Sequence, residues 1–236
     1  MQQTRYNICY NTPMKNLHNA LLLKQLKQLK HLGYRYTDVS QYKEDKIDLT
    51  LPDTLESLKK QALSCHLCDL SKSRQKVVFG EGNPHADLLF VGEGPGAAED
   101  STGKPFVGRS GQLLTKMIEN VLHLSRQDVY IANIVKCRPP NNRAPTPTEA
   151  HTCQPYLMKQ IELIKPKLIV TLGATAYRYL TGDETGITKI RGTLHKQNGY
   201  TIIPTYHPSY LLRNPSAKKE AFEDLLKVKS LMEIKS

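Results

Sequence analysis

The chain has 236 residues, of which 39% are hydrophobic and 23% are charged, a balance typical of a globular protein with one sizeable core and a short appendage. The formal net charge of +11 is typical of proteins that bind a polyanion, such as nucleic acid or an anionic membrane surface, although it also serves solubility. No apolar run approaches the ~20 residues of a membrane span, and no signal peptide is recognisable. We therefore expect a cytoplasmic protein with no membrane partner, whose cysteines stay reduced.

The first 55 residues are predicted to form an extension, and residues 56–236 to form the main domain. Leucines recur at helical spacing among lysines between Pro13 and His31, which predicts a basic amphipathic helix that ends at Gly33. Such a helix either docks on the domain with its lysines in solvent, or faces DNA or another partner. Cys9 lies in this extension and belongs to no motif.

The main domain alternates short apolar runs with helical patterns. Thr50 and Asp53 form a capping-box-like start for a first helix that runs through Leu63. The predicted strands cover residues 86–91, 128–133, 167–172, 193–195 and 200–204. The further predicted helices cover residues 110–122, 174–180 and 216–233, with one more from residue 148 onward. Because strands alternate with helices, we predict an α/β fold with a mainly parallel central sheet and helices on both faces.

A glycine-rich stretch, residues 91–108, follows the first buried strand and is predicted to be a long loop. It holds five glycines, three acids and one large aromatic residue, Phe106, and loops at the carboxyl ends of such strands are where ligands usually bind. Gly92, Gly94 and Ala97 formally match the dinucleotide-binding fingerprint. That match is weak, because the next predicted helix begins only near Ser110 and the acids would repel a pyrophosphate.

Four of the five cysteines have a spacing typical of a metal site. Cys65 and Cys68 are separated by two residues, and Cys137 and Cys153 by fifteen. Four thiolates suit either a tetrahedral zinc ion or an iron–sulfur cluster, and the spacing does not separate the two. Buried or free cysteines without a metal are the alternative.

Five sequence blocks, taken in order and together with these cysteines, resemble the family 4 uracil-DNA glycosylases, the iron–sulfur branch of that superfamily. The blocks are residues 92–96, residues 99–100, residues 103–108, residues 133–140 and residues 207–209. The resemblance covers roughly residues 58–230. It implies a three-layer sandwich fold, a 4Fe–4S cluster (alternatively zinc) on the four cysteines, and hydrolysis of the N-glycosidic bond of uracil in single- or double-stranded DNA.

The resemblance also assigns roles to individual residues. His207 would bind uracil O2 as negative charge develops on the leaving base, and Glu93 would orient the attacking water. Phe106 would stack on the flipped base and Asn133 would pair with uracil N3–H and O4. Gly94 would line the uracil pocket, while Glu99 would lie near C5 and help to exclude the methyl group of thymine.

The expected DNA contacts lie on two loops. Ser209 would hold a phosphate, and Leu212 or Arg213 would enter the duplex where the base has left the stack. Arg138 and Arg143 would form part of a basic rim. Because residues 141–147 lack the basic insertion of a related branch that traps DNA covalently, we expect turnover without a covalent intermediate. We also expect a monomer.

Two other functions are compatible with individual features. A metal-stapled module that binds nucleic acid without chemistry would show strong salt dependence and leave uracil in place. A nucleotide-dependent oxidoreductase built on the Gly92 loop would carry a tightly bound cofactor.

Overall fold

The computed structural model describes residues 51–233, which belong to one compact unit. The predicted basic helix at 13–31 and Cys9 lie outside the described residues. The first described helix, α1, spans Leu55–Leu63 and is capped by Thr54, whose side chain accepts a hydrogen bond from the Ser57 N–H. The cap is therefore Thr54 and not the predicted box at Thr50 and Asp53. The division between an extension and a domain near residue 55 stays a prediction.

A six-stranded sheet with the order β1-β3-β2-β4-β6-β5 forms the centre of the domain. The strands are β1 (Glu81–Gly82), β2 (Leu88–Gly92), β3 (Tyr130–Asn133), β4 (Leu168–Leu172), β5 (His195–Gln197) and β6 (Tyr200–Thr205). The four inner strands are parallel, and the short edge strands β1 and β5 pair antiparallel. This confirms the predicted α/β class, although the two-residue strand β1 was not predicted.

Helices cover both faces of the sheet, because every inner strand is apolar on both sides. After α1 they are α2 (Leu70–Ser73), α3 (Ala97–Thr102), α4 (Arg109–Met117), α5 (Pro147–Ile164), α6 (Ala174–Thr181), α7 (Ile187–Ile190), α8 (Pro208–Arg213) and α9 (Lys218–Glu233). Leu89 and Val91 point into the core that contains α5 and α6. Leu88 and Phe90 point into the core that contains α4 and α9. Within the described range, no helix is long and apolar enough to cross a membrane.

The inner strands end in register at one edge of the sheet. Gly92 of β2 lies opposite Asn133 of β3, and Leu172 of β4 lies opposite Thr205 of β6. Parallel sheets place their ligand sites beyond this carboxyl edge. The loops that carry the sequence blocks therefore meet there.

The glycine-rich stretch is not one long loop, as was predicted. Helix α3 begins at Ala97 with Gly96 as its N-cap residue, so the reason given against the dinucleotide fingerprint, that no helix follows at once, was wrong. The Gly96 N–H instead donates to the Glu99 carboxylate at 3.1 Å. The N-terminus of α3 therefore binds the Glu99 carboxylate, an anion that belongs to the chain itself.

Candidate active site

A cavity of about 580 Å³ opens at the carboxyl edge of the sheet. Nine of the eleven predicted catalytic, uracil-binding and DNA-binding residues line it: Glu93, Gly94, Glu99, Phe106, Asn133, Arg143, His207, Ser209 and Arg213. The other two lie outside this lining. Leu212 is exposed on helix α8, and Arg138 donates from Nε to the side chain of Asn142, a residue of the cavity wall.

Phe106 and Asn133 meet over the glycine that ends β2. A Cβ atom built on Gly92 would lie 2.5 Å from the Asn133 Oδ1 atom and 2.5 Å from the Phe106 Cζ atom. Contacts this short are not tolerated, so only glycine lets the ring and the amide approach here. The sequence indicated Gly92 as a member of the weak dinucleotide fingerprint and of the block at residues 92–96, but its packing role was missed.

Asn133 presents an unused acceptor. Its side chain is buried at the end of β3, and its Oδ1 atom has no hydrogen-bond partner among the described residues. Its backbone carbonyl, in contrast, is paired, because the buried Lys136 Nζ donates to it at 2.9 Å. Buried polar atoms are almost always paired in folded proteins, so this oxygen at the cavity wall is available to accept from an N–H group of a ligand.

Glu99 braces the segment that carries Phe106. One carboxylate oxygen accepts from the Val107 and Gly108 N–H groups at 2.9 Å each, and the other accepts from the Gly96 N–H. Three backbone donors on one buried carboxylate join the start of α3 to the start of α4. The predicted role of Glu99 beside uracil C5 stays a prediction.

His207 lies opposite Phe106, with its ring centroid 5.8 Å from that of Phe106. Its Nδ1 accepts from the Ser209 N–H at 3.1 Å and lies 2.7 Å from the Ser209 Oγ. Burial, and after it the positive charge of Arg213, lowers the pKa of His207 to about 4, while Glu99 opposes the shift. The imidazole is therefore neutral near pH 7, and because Nδ1 accepts a hydrogen bond, the proton lies on Nε2.

The predicted wedge residues lie on a short helix. Leu212 is 42% exposed on α8, and Arg213 lies at the cavity. Tyr210, which sequence reasoning passed over, also lines the cavity and stacks on Tyr206 with ring centroids 4.9 Å apart. The spacing of four residues between these two tyrosines is the signal that could have indicated the stack.

Arg143 is already paired. Its guanidinium donates to both carboxylate oxygens of Glu149 at 2.7 and 2.8 Å, and this pairing lowers the pKa of Glu149 to about 2. Part of its charge is therefore neutralised within the protein. Its contact with DNA stays a prediction.

The four motif cysteines line a second, much smaller cavity, whose volume is about 10 Å³. Arg74 donates to the Cys137 Sγ at 3.1 Å, and the Lys136 N–H points at the Cys153 Sγ at 3.3 Å. Burial raises the pKa of the Cys153 thiol to about 12 and raises the pKa values of Cys68 and Cys137. As free thiols these three would stay protonated, so thiolates here require a cation to stabilise them.

The four thiols share the lining of this one cavity. Among the described residues, no three His, Cys, Asp or Glu side chains are grouped as ligands of a single ion. A tetrahedral zinc ion with Zn–S bonds of about 2.3 Å would hold its sulfurs about 3.8 Å apart.

The comparisons with known proteins identify the family of the chain. The family model described as "Uracil DNA glycosylase superfamily" matches residues 79–227. A type-4 uracil-DNA glycosylase of Thermotoga maritima is 48% identical over 187 residues, which cover 78% of this chain and 97% of the relative. The type-4 enzyme of Sulfurisphaera tokodaii is 46% identical over 187 residues, 76% of this chain and 85% of the relative.

A third relative, from Saccharolobus solfataricus, is also named a type-4 uracil-DNA glycosylase and is 46% identical over 191 residues, 78% of this chain and 88% of its own. The fold and the site thus define a protein of the uracil DNA glycosylase superfamily, and the chain belongs to its type-4 family. The resemblance stated from the sequence is confirmed.

Proposed function

We propose that this protein hydrolyses the N-glycosidic bond between uracil and deoxyribose in DNA, leaving an abasic site for base excision repair. The observation that carries the proposal is the convergence of Phe106, Asn133 and His207 on one cavity, where the Asn133 Oδ1 has no partner among residues 51–233. Phe106 comes from the segment after β2, Asn133 is the last residue of β3, and His207 comes from the loop after β6.

Uracil is selected by the amide of Asn133. Its Oδ1 accepts the N3–H of uracil and its Nδ2 donates to O4, with the base stacked on Phe106. Cytosine presents an acceptor and a donor at the same two positions, so both hydrogen bonds would be lost. Each polar group left unpaired in the pocket costs about 1–3 kcal/mol, which is sufficient for strong discrimination.

Bond cleavage leaves negative charge on the base and positive charge on the sugar. His207 donates from Nε2–H to uracil O2, and its neutral state is supported by the lowered pKa and by the hydrogen bond that its Nδ1 accepts from Ser209. A donor fixed in advance stabilises the leaving base without reorganisation. Glu93, partly buried in the cavity wall, orients the attacking water and stabilises the developing charge on the sugar.

DNA is held by its phosphates and by the rim of the cavity. The net charge of +11 supports a polyanionic partner, and Arg213, Arg138 and Ser209 lie on or beside the rim. Leu212, exposed on α8, enters the stack where uracil has left. We further propose that a monomer acts on single- or double-stranded DNA in the cytoplasm.

A 4Fe–4S cluster is the group that the four cysteines hold, with a single zinc ion as the alternative. The donor set, its spread around one cavity and the N–H donors directed at two sulfurs support the cluster. When bound, it ties α1 to the loop after β3 and takes no part in bond cleavage. Visible absorbance that disappears in a Cys153→Ser variant is expected, and colourless protein with one zinc ion would contradict it.

The test is incubation with a single-stranded oligonucleotide that carries one uracil, followed by alkaline cleavage of abasic sites. The wild-type protein is expected to give strand cleavage at the uracil position, and Asn133→Ala and His207→Ala variants are expected to lose most of it. Salt-dependent DNA binding with uracil left intact would show a binding module and overturn the proposal.

A further inference from the structure

Phe106 holds a backbone conformation that a large side chain rarely adopts. Its φ is +51°, in the left-handed region that favours glycine. An aromatic residue stays there only if its surroundings over-determine the conformation. Something must therefore hold this peptide, because relaxation to a negative φ would carry the ring away from the cavity.

Arg126 binds the two carbonyl groups that flank the Phe106 Cα atom, those of Pro105 and of Phe106 itself. Its Nη2 donates to the Pro105 carbonyl at 2.9 Å and its Nη1 donates to the Phe106 carbonyl at 3.1 Å. Nη1 also contacts the Thr115 Oγ1 at 3.2 Å. The planar fork of guanidinium suits two adjacent acceptors, whereas a lysine offers a single ammonium group.

The same segment is restrained from two further directions. Glu99 accepts the N–H groups of Val107 and Gly108, which follow the ring. A Cβ atom on Gly111 would lie 1.9 Å from the Phe106 carbonyl oxygen, so helix α4 packs directly on this peptide. Arg126 donates to the carbonyl group of the Phe106–Val107 peptide, and Glu99 accepts from its N–H group. Both polar groups of this peptide are therefore bound.

Arg126 acts from outside the cavity. Its side chain is 23% exposed and lines a separate groove with Glu81, to which its Nη2 lies at 4.0 Å. It comes from the loop before β3, twenty residues after Phe106 in the chain. Any effect on uracil must therefore pass through the Pro105–Phe106 peptide.

We propose that Arg126 is a positioning residue for uracil excision, which fixes the Phe106 ring at the angle and depth needed to stack on the flipped base. This inference rests on the proposed function. This role of Arg126 differs from a merely structural one, because loss of Arg126 is expected to weaken binding of the base alone. It also differs from a DNA-binding role, because phosphate contacts would not depend on the ring.

The experiment compares Arg126→Lys and Arg126→Gln variants with the wild-type protein in two equilibrium measurements. Free uracil is titrated as a competitive inhibitor, and an oligonucleotide with a stable abasic-site analogue is titrated for direct binding. The variants are expected to bind free uracil about 5- to 150-fold more weakly, the range covered by one lost aromatic–base stack. Binding of the abasic oligonucleotide is expected to change less than about twofold, because phosphate contacts are unaffected.

Arg178→Gln is the matched control, since Arg178 is an exposed arginine over the ring of Tyr179, away from the cavity. It should leave both affinities unchanged. In a Phe106→Ala background, the Arg126→Gln change should no longer affect uracil inhibition, because the ring on which it acts is gone. Thermal melting of every variant shows whether it is folded, and Arg126→Lys decides the question if Arg126→Gln does not fold.

Two results would overturn the inference. One is unchanged uracil inhibition in Arg126→Lys and Arg126→Gln, and the other is a parallel loss of uracil and abasic-DNA binding. A wild-type protein that releases no uracil and is not inhibited by it would instead refute the proposed function, so the two failures are distinguishable.

Discussion

Replacing Asn133 with alanine should separate activity from stability. The side chain is buried, and its Oδ1 has no hydrogen-bond partner within the described part of the chain. Removing that oxygen costs the free protein no hydrogen bond, so the free energy of unfolding should change by less than about 1 kcal/mol. The bound uracil, in contrast, would lose its partners at N3–H and O4.

The expected loss of activity follows from those two hydrogen bonds. At about 1–1.5 kcal/mol each, they amount to about 2–3 kcal/mol of transition-state stabilisation. Since 1.4 kcal/mol is about a factor of ten in rate, kcat/KM should fall roughly 30- to 150-fold. Desolvated uracil groups that stay unpaired would increase this loss, so the figure is a lower bound.

The assay is single-turnover release of uracil from a single-stranded oligonucleotide, followed by alkaline cleavage, with denaturant unfolding of the same samples. Thr171→Val is the matched control. The Thr171 Oγ1 is another buried oxygen without a partner among the described residues, on strand β4 and outside the cavity lining. This control should keep wild-type activity. An Asn133→Ala rate within about threefold of wild type would refute the reasoning about hydrogen bonds.

Three further predictions concern the same site. Burial lowers the pKa of His207 to about 4, below the value of about 6.5 in an unfolded chain. The unfolded state therefore takes up the proton first as the pH falls from 6.5 to 4, and stability is lost in that window. His207→Gln should lose less unfolding free energy there than wild type, and parallel curves would contradict this. Gly92→Ala should abolish uracil release because its Cβ would meet the Phe106 ring at 2.5 Å, whereas Gly186→Ala, with no atom within 4 Å, should be harmless in the same assay. Leu212→Ala should slow uracil release from duplex DNA at least about fivefold more than from single strands, because only the duplex has a stack to fill; equal effects on both substrates would exclude the wedge.

Much of the fold follows from local pattern. The apolar runs at 88–92, 130–133 and 168–172 were predicted as strands within two residues of their observed bounds, because a strand buried on both faces has few polar positions. Alternation with helices then predicts parallel pairing and a site at the carboxyl edge. Helix α3, in contrast, has six residues and was missed, since so short a segment shows no periodicity.

By itself, the sequence determined the inner strands, the longer helices, the glycosylase family and the residue types that face one cavity. Only the tertiary structure decided how those side chains are held. Glu99 binds amides up to nine positions away, and Arg126 binds the carbonyls of Pro105 and Phe106 across about twenty. The proton position on His207 depends on a single N–H group of Ser209. Such contacts depend on distances and angles between separate loops, and no local pattern of residue types encodes them.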